Sequence, residues 1–349
     1  MPAGKPLIDV LTGRIPSRRP IWLMRQAGRY LPEYREVRTH AGSFLGLCDD
    51  AKLASEVTLQ PLRRYDLDAA IVFADILLIA RALGSDLDFR DSEGPVLTPI
   101  RSEADVEALA SVVDLGRLKA VFETLTQVKK TLASHQTLIG FCGGPWTVAS
   151  YMIEGGSSEG RLVARETAIR RPDWFKELMR RLVHGSVDYL AAQVEAGAEV
   201  LQIFESWAGD LPEILQEELI FEPVQAIIAG VRKRVRAVPV IGFARGLGAA
   251  HRDFAMKCDL AAVSVEQGVP LAWVKSVLMP RISVQGNLDP LILSIGGEAL
   301  DRAVRRITSL LPPHSHVFNL GHGVRPETPP EHVARLVEAV RQADGARGG

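Results

Sequence analysis

Apolar residues in this chain come in short, nearly unbroken runs, each followed by turn residues and then by a stretch in which apolar positions recur every three or four residues. The runs cover residues 20–24, 69–73, 138–142, 200–204, 238–243, 260–265, 282–285 and 316–320. Continuous Val, Ile, Leu and Phe without alternation marks parallel strands covered on both faces. The stretches between them, such as 51–64, 174–196, 222–236 and 327–342, carry the helical period. Strand–helix alternation predicts an α/β fold with a parallel sheet and right-handed crossovers. Eight repeats predict closure into a (β/α)8 TIM barrel, because a six-stranded doubly wound sheet leaves two runs unused.

The connections are uneven. The fifth, sixth and seventh runs start at 238, 260 and 282, so successive units there are 22 residues long. Residues 81–100 carry Gly84, Gly94, Pro95 and Pro99 around two β-prone runs, and read as a hairpin-like insertion. No composition shift cuts a second domain. One domain over 1–349 is expected, with a short N-terminal extension and a frayed tail at 344–349.

Composition narrows the classes. The chain has 349 residues, 47% hydrophobic and 24% charged, with a formal net charge of −1. That charge supplies no global field for nucleic acid or anionic lipid, so anion binding must come from local arginines. Cys48, Cys142 and Cys258 lie far apart, against a disulfide framework or a cysteine zinc site. No apolar leader and no run of 18 apolar residues is present. A cytoplasmic protein with no membrane or nucleic-acid partner is expected.

In barrel enzymes the chemistry sits on the loops after the strands. Reactive residue types gather there: Arg25 and Arg29 after the first run, Asp75 after the second, Gly143-Gly144-Pro145-Trp146 leading to Tyr151 after the third, Glu205-Ser206-Trp207 after the fourth, and Gly321-His322-Gly323 after the last. Arginine's planar fork binds carboxylates in bidentate fashion, so Arg25 and Arg29 suit an acidic ligand. The plainer alternative pairs them with Glu33 and Glu36. Asp75 ends an apolar run, where a carboxylate is costly unless paired or functional, or else caps a helix. Tyr151 is a hydrogen-bond donor to a ligand or a core tyrosine. His322, between two glycines, suits a ligand hydrogen bond. His314 and His316 have the spacing of one strand face, with His322 as a third nitrogen, but converging zinc geometry is not implied and no metal is expected. Gly246-Leu247-Gly248 has His251 where a dinucleotide fingerprint needs its third glycine.

Taken together, these residues resemble the uroporphyrinogen decarboxylase family. The segments that carry the resemblance are Trp22-Leu23-Met24-Arg25-Gln26-Ala27-Gly28-Arg29-Tyr30-Leu31-Pro32-Glu33-Tyr34-Arg35, Phe73-Ala74-Asp75-Ile76-Leu77, and Gly143-Gly144-Pro145-Trp146-Thr147 running to Tyr151-Met152-Ile153-Glu154-Gly155. Phe204-Glu205-Ser206-Trp207-Ala208-Gly209, Val284-Gln285-Gly286-Asn287-Leu288-Asp289-Pro290 and Phe318-Asn319-Leu320-Gly321-His322-Gly323 complete it. The resemblance implies a (β/α)8 barrel acting as a homodimer with facing mouths. It implies cofactor-free removal of the four acetate carboxyls of uroporphyrinogen III as CO2, giving coproporphyrinogen III. It also implies that Arg25 and Arg29 bind substrate carboxylates, that Asp75 faces the pyrrole N–H groups, and that Tyr151, Ser206 and His322 complete the contacts.

Two positions depart from the family pattern. Glu205 stands where Asp is usual, and Val265-Glu266-Gln267-Gly268 replaces Leu-Asp-Trp-Thr. Two other readings stay open at this point. A corrinoid-dependent methyltransferase shares the fold, but it needs a His two residues before a zinc-bound Cys, which none of the three cysteines has. A tetrapyrrole-binding protein without turnover is the non-enzyme alternative.

Overall fold

The apolar runs form strands because each is buried from two sides at once. A computed structural model describes residues 4–90 and 94–345 of the chain. In it β1 (Ala69–Ile71), β2 (Leu87–Arg90), β3 (Gly94–Leu97), β4 (Thr137–Gly143), β5 (Val200–Glu205), β6 (Val240–Ala244), β7 (Ala262–Ser264), β8 (Ser283–Gln285) and β9 (His316–Val317) follow one another. Seven of them make one parallel sheet in the order β1-β4-β5-β6-β7-β8-β9. Side chains alternate across it. Ala69, Ile139, Val200, Ile241, Ala262 and Val317 share an inner core with Trp22 and Met24. Their neighbours Ala70, Leu138, Leu201, Val240 and Val263 join an outer core with the helices. Among those helices, Ala51–Arg64, Asp173–Glu195, Glu222–Arg234 and Pro330–Gly345 lie close to the expected spans.

The first run is a correction to the eight-strand expectation. Residues 20–24 make no strand; Ile21 forms an isolated parallel bridge with Phe318. Side chains take the backbone donors a strand would offer. Ile21 N donates to Asp68 Oδ2 at 2.8 Å, Leu23 N to Gln26 Oε1 at 3.0 Å, and Met24 N to Asn319 Oδ1 at 3.0 Å. The segment still touches both edges of the sheet: Phe318 N donates to Pro20 O at 2.8 Å, and Asp68 N to Ile21 O at 2.9 Å.

The short N-terminal helix Pro6–Leu11 packs into the inner core at the N-terminal ends of the strands. Ser283 Oγ donates to Val10 O at 3.2 Å, and Lys5 Nζ reaches Gln136 O and Glu199 there. That end is plugged, which leaves the C-terminal ends open for a site.

The insertion is a hairpin, as expected, with Leu87 opposite Leu97 and Arg90 opposite Gly94; positions 91–93 lie outside the described residues. It is tied to the end of the helix Pro145–Glu154 through Leu97 N to Gly155 O at 3.0 Å and Ile100 N to Met152 O at 2.9 Å. The expected frayed tail is corrected in part. Helix Pro330–Gly345 runs through Asp344, whose carboxylate accepts from Arg19 N at 3.1 Å and Arg19 Nε at 3.2 Å. Positions 346–349 lie outside the described residues. His314 and His316 do not share a strand face, because Pro313–Ser315 forms a 3-10 turn that leaves His314 exposed and His316 buried.

Candidate active site

The loop carrying Arg25 is fastened between β1 and the segment after β9. Buried Gln26 donates from Nε2 to Ala69 O at 3.0 Å, and Tyr30 Oη donates to Gln26 O at 2.9 Å. Asn319 Oδ1 holds Met24 N from the other side and also accepts from Leu320 N at 2.8 Å. Val324 N donates to Met24 O at 2.9 Å. So held, Arg25 adopts φ +60°, a left-handed backbone that non-glycine residues rarely take. Its side chain runs across Gly323, where an added Cβ would stand 2.7 Å from Arg25 Cγ.

Asp75 follows β1, partly buried. Its Oδ1 accepts from Leu77 N at 2.8 Å, an Asx turn leading into the helix Leu78–Ala82. Burial pushes its carboxyl up to about 6, while the Leu77 N–H and the charge of Arg25 pull the other way. His322 stacks on Phe243, with ring centroids 6.4 Å apart and planes 28° from parallel. Burial, then Arg25 and Arg245, push His322 down to about 4, so its imidazole is neutral near pH 7. Arg25, Asp75 and His322 therefore come together, joined by Arg245 from the end of β6.

Tyr151 belongs to a second group. Its helix starts at Gly144, with Pro145 at the first position as expected, and its N-terminus is capped by Glu205 from the end of β5. Glu205 Oε1 accepts from Trp146 N at 3.0 Å, and Oε2 accepts from Thr147 N at 2.9 Å and Thr147 Oγ1 at 2.6 Å. Only a glycine fits at 144, because a Cβ there would overlap the Glu205 carboxyl group. The longer side chain at this departure thus carries a carboxylate into the first turn of the helix, where orphan N–H groups and the helix dipole favour an anion. Burial outweighs those donors and pushes its carboxyl up to about 7. Ser206 follows it, partly buried. Tyr151 meets Trp207 edge to face at 6.2 Å, and the Arg161 guanidinium lies over both rings.

Arg29 stands apart, exposed on the rim. Its carbonyl accepts from Arg35 Nη1 at 2.9 Å, and its charge acts on Tyr34 and Glu327. Glu33 pairs with Arg64 Nε at 2.9 Å rather than with either loop arginine. At the second departure, Glu266 Oε2 and the buried His251 Nε2 lie 3.0 Å apart, and Gln267 is exposed. Among the described residues, no three His, Cys, Asp or Glu side chains converge as a metal site, and the three cysteines are buried and free.

Sequence reasoning missed Arg245 and Arg161. Arg245 directly follows an apolar strand, the same signal that singled out Asp75. Arg161 lies in a long connection without periodicity, and its burial depends on rings far away in sequence. Gln26 and Asn319 were inside the quoted motifs, but their fastening role needed the fold.

The model for the uroporphyrinogen decarboxylase (URO-D) family matches residues 3–343. A uroporphyrinogen decarboxylase of Rhodospirillum rubrum is 49% identical over 97% of each chain. One of Granulibacter bethesdensis is 46% identical over 97% of this chain and 99% of its own. Among solved structures, a methyltransferase from Methanosarcina mazei superposes with TM-score 0.81 at 21% identity, covering 97% of both chains. At that identity the likeness speaks for the fold alone. No helix among the described residues is long and apolar enough to cross a membrane.

Proposed function

The chain belongs to the uroporphyrinogen decarboxylase family, and on that premise we propose that it removes the four acetate carboxyls of uroporphyrinogen III as CO2, giving coproporphyrinogen III in tetrapyrrole synthesis. The observation that carries the reading is Asp75, a carboxylate at a strand end beside Arg25 and a neutral His322.

Loss of CO2 leaves an electron pair that needs an acceptor. Protonating a pyrrole α-carbon makes a cationic ring that takes it, so the substrate supplies its own sink and the reaction needs no cofactor. Asp75, ionised above about pH 6, accepts hydrogen bonds from the central N–H groups and stabilises the cation as it forms. Arg25 and, from the rim, Arg29 hold carboxylate arms, with Tyr151, Ser206 and His322 adding hydrogen bonds. Neutral His322 orients rather than protonates. Arginine has a pKa above 12, so Arg25 serves through its charge and fork more than as an acid.

The bonds of residues 20–21 to both edges of the sheet support a closed (β/α)8 barrel in which this segment stands for the eighth strand. The protein works in the cytoplasm as a homodimer with facing mouths, on a small-molecule substrate and without membrane or nucleic acid. Anaerobic incubation of the purified protein with uroporphyrinogen III, followed by chromatography of carboxyl loss, tests the reading. Stepwise conversion to a four-carboxyl product is expected, and unchanged substrate refutes it.

A further inference from the structure

The mouth holds a guanidinium that the six proposed site positions do not include. Arg161 is 1% exposed, yet its Nε, Nη1 and Nη2 have no hydrogen-bond partner. Two rings that meet edge to face border it: the guanidinium carbon lies 4.2 Å from the Tyr151 ring centroid and 4.0 Å from that of Trp207. The nearest acid, Asp210, is 3.9 Å from Nε, beyond hydrogen-bond reach. Five N–H donors without acceptors are costly in a buried place, and a spacer between two rings would be cheaper as a hydrocarbon. The backbone at Arg161 is also left-handed, φ +46°, one residue before the helix Leu162–Arg170.

The ring faces that border the fork attract its charge but accept none of its N–H groups in the plane, so those donors are left for a ligand. A fork of unpartnered N–H donors matches a planar carboxylate in bidentate contact. Tyr151 lies on the helix capped by Glu205, and Trp207 is two residues past Glu205, so the slot is at the same end of the sheet as Asp75. We propose that Arg161 is a further substrate-binding residue, taking one carboxylate arm of the polycarboxylate in a slot walled by Tyr151 and Trp207. The identity of the ligand rests on the decarboxylase reading above; the demand for an anion rests on the unpartnered guanidinium.

Anaerobic kinetics of R161M and R161K beside the wild type, with thermal melts, decide it. A folded R161M is expected to show KM raised about tenfold or more with kcat within about threefold, and R161K an intermediate rise of about threefold, because ammonium keeps the charge but not the fork. An unchanged KM in folded R161M overturns the inference while leaving the decarboxylase reading intact. Should R161M not fold, R161K decides alone, and an unchanged KM there overturns it. Wild-type protein that leaves uroporphyrinogen untouched sinks the decarboxylase reading and this inference together.

Discussion

The Arg25 side chain crosses the bare Cα of Gly323, so the loop after the last strand sets where that guanidinium stands. A methyl group at 323 would press on Cγ and Cδ of Arg25. Gly323 carries no left-handed strain, so G323A is expected to fold with a melting temperature near that of the wild type. Its kcat/KM should fall about tenfold or more, because a misplaced anchor loses the alignment that binding provides. Steady-state kinetics with parallel melts check this; unaltered kinetics would mean that Arg25 does not hold substrate from its observed position.

Asp75 makes two claims testable together. D75N keeps the shape and loses the charge, and turnover should drop by roughly a thousandfold. In the wild type, kcat/KM should rise with pH and reach half its plateau near pH 6, since the ionised carboxylate is the working form and burial holds its pKa at about 6. A flat profile between pH 5 and 8, or a D75N rate near normal, contradicts the assignment.

Glu205 caps the Tyr151 helix with three accepted hydrogen bonds. E205Q turns an amide N–H toward donors already there and should lower unfolding free energy by about 1–3 kcal/mol. The pH dependence has a definite sign. A folded pKa of about 7, above the ordinary carboxyl value, means the native state binds the extra proton, so wild-type stability declines as pH rises from about 4.5 to 7. Without that titration, the deficit of E205Q shrinks across the same interval. Urea unfolding at pH 5 and pH 8 measures both effects; an equal deficit at the two pH values refutes the titration.

His316 titrates the other way. Its Nδ1 accepts from Arg19 Nη1 at 2.5 Å, and its Nε2–H donates to Gly286 O at 2.6 Å. Burial and the adjacent Arg19 push the imidazole well below its usual value. The unfolded chain therefore takes the proton first as pH falls. Stability from this group is full above about pH 6.5 and declines below it, by up to about 1.4 kcal/mol per pH unit. H316N should be less stable at neutral pH and lose one proton's worth of slope on the acid side. A slope equal to that of the wild type would place the acid sensitivity elsewhere.

Strand positions were legible wherever burial on both faces wrote itself as an unbroken apolar run, and seven of the eight runs became neighbours in one sheet. The first run has the same composition, but Asp68, Gln26 and Asn319 capture its amides, and those partners lie far off in sequence or point inward for reasons only the fold supplies. The tail shows the same limit: a Gly-rich ending suggests fraying, while Asp344 is held by an arginine at the other terminus. Candidate residues were legible as positions because parallel sheets put polar side chains just past their strand ends, where Asp75, Ser206 and His322 stand. Arg29 is exposed, as Arg25 is, and its charge reaches Tyr34 and Glu327, where that of Arg25 reaches Asp75 and His322. Arg161 could not be read at all, since a polar residue in an aperiodic connection gives no sign that two distant rings will bury it.

The joining of residues 18–24 to the end of the chain bears on how the protein is made. Arg18 and Arg341 share Asp68, Arg19 leans on Asp344 and His316, and Met24 waits for Asn319. The segment that carries Arg25 meets Asp68 and Ala69 early in synthesis but acquires these other partners last. Asp68 and Ala69 hold one side of it from then on, and the other side docks only once Asn319, Arg341 and Asp344 have been made. A prematurely terminated product lacking the last helix would therefore keep all seven sheet strands and the Asn319 contact, and yet lose the Arg341 and Asp344 bonds that hold residues 18–19 in place.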